Sequence, residues 1–160
     1  MRKTLSALLC LLLAAGTLSA ANKPSREQWF MDMGFGMFIH WSMDSQVGAV
    51  ISHSMAGASQ DYLDRFINEL PKTFNPKDFC PDDWAVLMEY VVFTSKHHSG
   101  FCMWDTKTTP FNVMNTPCGK DLMREIIDAF RRQGIAIGIY FSPEDFYYFH
   151  THGQPVARRL

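Results

Sequence analysis

Three apolar runs stand out along the chain: FGMFIHW at 35–41, EYVVFT at 89–94 and IAIGIYFS at 135–142. The last two are almost unbroken, which predicts strands buried on both faces in a parallel sheet rather than strands with one wet face. Two stretches follow a helical period instead. SQDYLDRFINEL, 59–70, offers Ser59 as N-cap, places Tyr62, Leu63, Phe66, Ile67 and Leu70 on one face, and meets Pro71 as a stop. KDLMREIIDAFRRQG, 120–134, gathers Leu122, Met123, Ile126, Ile127 and Phe130, carries basic residues near its C-terminus and closes on Gly134.

Strand, helix and strand in that order, joined by right-handed crossovers, make the unit of α/β folds. Polar residues cluster just after each apolar run: His40 with Trp41, Lys96 with His97 and His98, and Glu144 with Asp145. Parallel barrels carry their binding and catalytic groups at the C-terminal ends of the strands, so this placement favours a barrel over a doubly wound sheet. No strand is followed by a glycine-rich phosphate loop, which argues against a nucleotide fold. The expectation is an α/β chain holding about three of the eight βα units of a TIM barrel, with the remainder outside the sequence. The first crossover looks short. About seven helical residues fit between Asp82 and Glu89, roughly 10 Å of travel, against about 20 Å for a six-residue strand. Either that helix packs irregularly or residues have been deleted, and the missing C-cap glycine favours a deletion.

Composition adds mainly exclusions. The 160 residues carry a net charge of −1 with 47 % hydrophobic and 19 % charged side chains, so nothing points to nucleic acid. Aromatic residues reach 14 %, in clusters that suit a dense core or a ligand pocket. Arg2 and Lys3, the apolar 5–15 stretch and small Ser19 and Ala21 read as a cleaved export signal over 1–21, too short for a membrane span. The mature domain is then 22–160, in an exported compartment. Of its cysteines, Cys80, Cys102 and Cys118 show neither a disulfide framework nor zinc spacing, though a Cys102–Cys118 bridge is one option.

Each polar cluster has a plain reading beside a chemical one. His40 and Trp41 are a core pair, or a donor to a bound hydroxyl beside an aromatic platform; their place at a strand end favours the second. Lys96, His97 and His98 suit a metal site, a solvated turn or a hydrogen-bonding pocket. Alternation along a strand keeps adjacent histidines from gripping one ion, while Gly100 permits a turn that brings both rings over a barrel mouth. The pocket is the best of the three. Glu144 and Asp145 invite assignment as a glycosidase pair, but sequence neighbours seldom face each other across one bond; one of them caps a loop. Asp105 is a weaker candidate, and His150 and His152 are expected in an exposed loop. No cofactor is implied.

The segments WFMDMGFGMFIHW (29–41), YVVFTSKHHSGFCMWDTKTTPFN (90–112) and GKDLMREIIDAFRRQGIAIGIYFSPEDF (119–146) resemble the N-terminal part of the α-L-fucosidases of glycoside hydrolase family 29. The resemblance implies a (β/α)8-like catalytic domain that removes terminal α-L-fucose from glycans with retention, through a covalent fucosyl-enzyme. It implies that His40, His97 and His98 bind the sugar, with Trp41, Tyr140 and Lys96 as neighbours. The family's motif often has Asp where Ser99 stands. Its nucleophile and acid/base are expected beyond Leu160, so the chain alone should be inactive and Glu144 and Asp145 are not that pair. The alternatives are a non-catalytic carbohydrate-binding remnant and, further off, a zinc hydrolase using His97 and His98.

Overall fold

The computed structural model describes residues 23–51, 53–85 and 88–157; the expected export signal over 1–21 lies outside them. The chain divides into two units, 1–34 and 35–160. The described part of the first is helix α1, Pro24–Asp32, which buries no residue and is stitched by Gln28 Nε2 donating to Asp32 Oδ1 at 2.7 Å. Pro24 in its first turn and Glu27 after it are the start signals in the sequence.

The second unit is built on three parallel strands, β1 (Gly36–Ile39), β2 (Tyr90–Lys96) and β3 (Ala136–Phe141), in the order β1-β2-β3. The apolar runs therefore do form a parallel sheet, with β2 in the centre. Burial on both faces holds for β2 but not for β3, where Ile139 and Phe141 are 44 % and 54 % exposed. The reason is position: β3 is an edge strand here.

Helix α2 (Gln60–Asn68) starts where Ser59 accepts from the Tyr62 N–H, and buries Leu63 and Phe66. Pro71 does not mark the last turn but opens a short 3-10 helix, Leu70–Thr73. Among the described residues, the return to β2 uses a four-residue helix, α3 (Pro81–Trp84). Arg132 Nη2 grips both carboxylate oxygens of Asp82 at 2.8 Å, tying α3 to helix α4 (Leu122–Arg132).

Helix α4 is the best-specified element. Asp121 caps it by accepting from the Arg124 N–H, and its far end is a Schellman turn. Gly134 takes φ 75°, its N–H bonds to Arg131 O, and the Ile135 N–H bonds back to Phe130 O. Ile126, Ala129 and Phe130 are buried and join Val91 and Phe93 in one core with Phe101, Met103 and Val113. The last helix, α5 (Phe146–Thr151), was not expected. Asp145 caps it by accepting from the Tyr148 N–H, so His150 sits on a helix rather than in an exposed loop. His150 Nε2 lies 3.0 Å from Asp64 Oδ1 with its side chain largely buried, joining α5 to α2; His152 is exposed as expected. Cys80, Cys102 and Cys118 are free thiols, so the optional Cys102–Cys118 bridge is not formed.

Candidate functional site

Register decides which side chains meet. Phe38 aligns with Val92 and Val92 with Gly138, so one face of the sheet carries Phe38, Val92 and Gly138, then Thr94 beside Tyr140. The register slips between Thr94 and Lys96, and Lys96 pairs with Phe141. The slip reverses the alternation for everything after it. Without it His97 would fall on the helix-covered face; with it His97 joins Tyr140 and Lys96 goes to the opposite side. The Ser95 hydroxyl secures the irregularity by donating to Tyr140 O at 2.8 Å.

Beyond β2 the chain turns sharply. The Gly100 N–H donates to His97 O at 3.0 Å, and Gly100 holds φ 90° in the left-handed region. A Cβ there would fall 2.4 Å from Asp145 Oδ1 and 2.8 Å from the Tyr147 Cβ. The turn gathers four rings. His97 lies 4.7 Å from His40, 4.3 Å from His98 and 5.2 Å from Tyr140, the last as a stack inclined by 20°. Exposed Phe38 stacks on His40 at 5.4 Å and extends the cluster down β1.

Four of the five predicted site residues, His40, His97, His98 and Tyr140, thus meet. Trp41 does not join them. It points to the other side of the chain from His40 and packs against Phe74, Phe79 and Trp84, with the Phe79 ring 5.2 Å away. Lys96 is 5 % exposed, and its three N–H donors are engaged. They reach Ser142 O at 2.9 Å, Glu144 O at 3.0 Å and Asp145 Oδ2 at 3.2 Å, with the Phe141 ring at 4.9 Å. It pins the loop after β3 and has no donor left for a ligand.

His97 is held as a donor from a neutral ring. The His98 N–H donates to His97 Nδ1 at 2.8 Å, so the proton of a neutral His97 resides on Nε2. Burial, helped by the positive field of His98, His40, His53 and Lys96, lowers the His97 pKa to about 4. His40 is also lowered by burial, with the charge of Asp44 opposing. His98 Nδ1 meets the Ser142 hydroxyl and lies 3.4 Å from Glu144 Oε2. Thr94, fully buried beside Tyr140, keeps a hydroxyl with no hydrogen-bond partner among the described residues.

Glu144 and Asp145 separate as adjacent residues should: Glu144 faces His98, while Asp145 caps α5 and pairs with Lys96. Among the described residues no three histidines, cysteines or carboxylates are grouped to hold a metal. Sequence reasoning missed Asp44. It is fully buried, accepts from Ser99 Oγ at 3.1 Å and from the Ser54 hydroxyl, and burial pushes its pKa up.

Donor rings and an aromatic wall at the C-terminal ends of parallel strands are the arrangement of barrel enzymes that bind polar small molecules. The comparisons agree. The α-L-fucosidase family model matches residues 15–157. The putative α-L-fucosidase of Caenorhabditis elegans is 33 % identical over 155 residues, covering 82 % of this chain and 31 % of that protein. Among solved structures, isoenzyme 1 of α-L-fucosidase from Paenibacillus thiaminolyticus superposes with TM-score 0.65 at 38 % identity, over 76 % of this chain and 30 % of that one. A family 29 α-L-fucosidase from Bacteroides thetaiotaomicron, trapped as a covalent intermediate with 2-fluoro-fucosyl fluoride, gives TM-score 0.65 at 32 % identity, over 78 % and 31 %. The chain belongs to the α-L-fucosidase family, glycoside hydrolase family 29, whose structures are TIM-barrel enzymes. It spans about three-tenths of the length of these relatives.

Proposed function

We propose that this chain supplies the sugar-binding wall of an α-L-fucosidase, acting on fucosylated glycans by retaining hydrolysis. His40, His97 and His98 contact the fucose hydroxyls, Tyr140 stands against the ring, and Trp41 supports the wall from behind. The observation that carries this reading is the meeting of His40, His97 and Tyr140 on one face at the strand ends, which depends on the register slip in β2. A neutral ring with its proton on Nε2 is a good partner for an uncharged hydroxyl, and Tyr140 and Phe38 offer apolar surface to the sugar's C–H groups.

The three parallel strands are, in this reading, the first three of the barrel, and 1–21 is an export signal. Retaining hydrolysis needs two carboxyl groups about 5 Å apart across the scissile bond. Of the carboxylates at this end of the sheet, Asp145 is committed to Lys96 and α5, Asp44 is buried, and Glu144 alone stands beside a ring. The chain by itself therefore binds fucose without cleaving it.

Calorimetric titration of the chain with L-fucose, alongside an assay with an aryl α-L-fucoside, tests this. The expected results are saturable binding lost in His97→Ala and no turnover. Absent binding by a folded chain contradicts the pocket, and turnover contradicts the assignment of the cleaving carboxylates to other residues.

A further inference from the structure

Behind the rings lies a carboxylate that contact with a sugar does not explain. Asp44 lies in the first turn of the 3-10 helix Met43–Val47 after β1 and is 0 % exposed, as is Ser99; Ser54 is buried too. Hydroxyls face it. Ser99 Oγ donates to Oδ2 at 3.1 Å and the Ser54 hydroxyl donates to Oδ1. Three separate segments converge on this one side chain: the chain after β1, the 53–55 stretch and the turn after β2. Burial disfavours its ionised form and these donors offset only part of that, so holding a carboxylate here costs the fold stability. A costly polar group held in place by its neighbours is better explained by what it orders.

Ser99 links it to the pocket. It lies between His98, whose backbone N–H donates to His97 Nδ1 at 2.8 Å, and Gly100, whose N–H donates to His97 O at 3.0 Å. The side chain of Ser99 is thus the anchor of the turn that fixes the His97 tautomer, and Asp44 is what it is anchored to.

We propose that Asp44 is a positioning residue of the pocket: through Ser99 it locks the 97–100 turn, so that His97 presents its Nε2–H to the ligand. The proposal rests on the reading of His97 as a sugar-binding group, but the turn it describes can be measured without a sugar. Deleting the anchor frees the turn, weakens the bond to Nδ1 and lets the ring populate both tautomers. Asn at position 44 keeps an amide oxygen as acceptor and retains part of the anchor.

The test is imidazole ¹H–¹⁵N correlation on the full 160-residue chain, at neutral pH, for the parent, Asp44→Asn, Asp44→Ala and Ser99→Ala. In the parent, His97 should show one protonated nitrogen, Nε2. In Asp44→Ala and Ser99→Ala its two nitrogen shifts should move toward each other, and the fucose Kd should rise about tenfold, the worth of one well-placed hydrogen bond. Asp44→Asn should fall between. If Asp44→Ala does not fold, Ser99→Ala decides, since it removes one hydroxyl and leaves the carboxylate with Ser54. A folded Ser99→Ala chain whose His97 keeps the parent's single tautomer overturns the proposal. Failure of the parent to bind fucose would count against the pocket and leave the tautomer result standing on its own.

Discussion

At the scale of single residues, environment sets the chemistry of the rings. His97 is 3 % exposed and surrounded by other potential cations, and its pKa falls to about 4. The folded value lies below the ordinary 6.5, so the unfolded chain takes up this proton first. Stability linked to His97 is therefore complete above about pH 6.5 and is lost as the pH falls toward 4. A ring-shift titration should give His97 a midpoint near 4, while a midpoint near 6.5 would show that it is not enclosed as described. His40, His97 and His98 could be picked from the sequence because they stand at strand ends, and Tyr140 only through the family resemblance. Trp41 could not be placed so easily: next to His40 in sequence, it points away and joins Phe79 and Trp84. Ser99 is the most instructive position. Where the family's motif often has Asp, the serine reads as a lost carboxylate, yet Asp44 brings one to it from 55 positions earlier. No spacing rule marks that partnership.

At the scale of elements, the strands and the two long helices were legible because their patterns are strong. The strand bounds fall within a residue or two of the apolar runs, and the closing glycine of α4, Gly134, could be read from the sequence, whereas its N-cap, Asp121, was missed. The irregularity between Thr94 and Lys96 was not legible, because it depends on a Ser95 hydroxyl meeting a carbonyl on another strand. Helix α5 was hidden for a related reason: Asp145 drew notice as a candidate acid when its work is to cap a helix and hold Lys96. Gly100 is where these elements depend on one backbone geometry. An alanine at φ 90° costs at least about 1–2 kcal/mol in backbone strain alone, and its Cβ would fall on Asp145 Oδ1 at 2.4 Å. Gly100→Ala should therefore lower the urea midpoint by the equivalent of at least about 1 kcal/mol and weaken fucose binding. Parent-like stability together with parent-like binding would show that the turn tolerates a side chain.

At the scale of the whole molecule, the three strands place every residue of the proposed wall at one end of the sheet and commit the helix-covered face to packing. Lys96, Asp44 and Trp41 lie behind the wall and hold it, while His40, His97, His98 and Tyr140 form its front. The family could be read from the KHHSGF and FGMFIHW motifs because they encode this wall directly, in residues close together in sequence. What the wall rests on was not readable, because its supports come from distant segments. The most direct test follows the histidine rings of the ¹⁵N-labelled chain during titration with L-fucose. The resonances of His40, His97 and His98 should shift together and saturate at one Kd, with His150, held by Asp64 on α2, unmoved. Fucose binding that leaves those three rings unchanged, or none at all by the folded chain, would contradict the account.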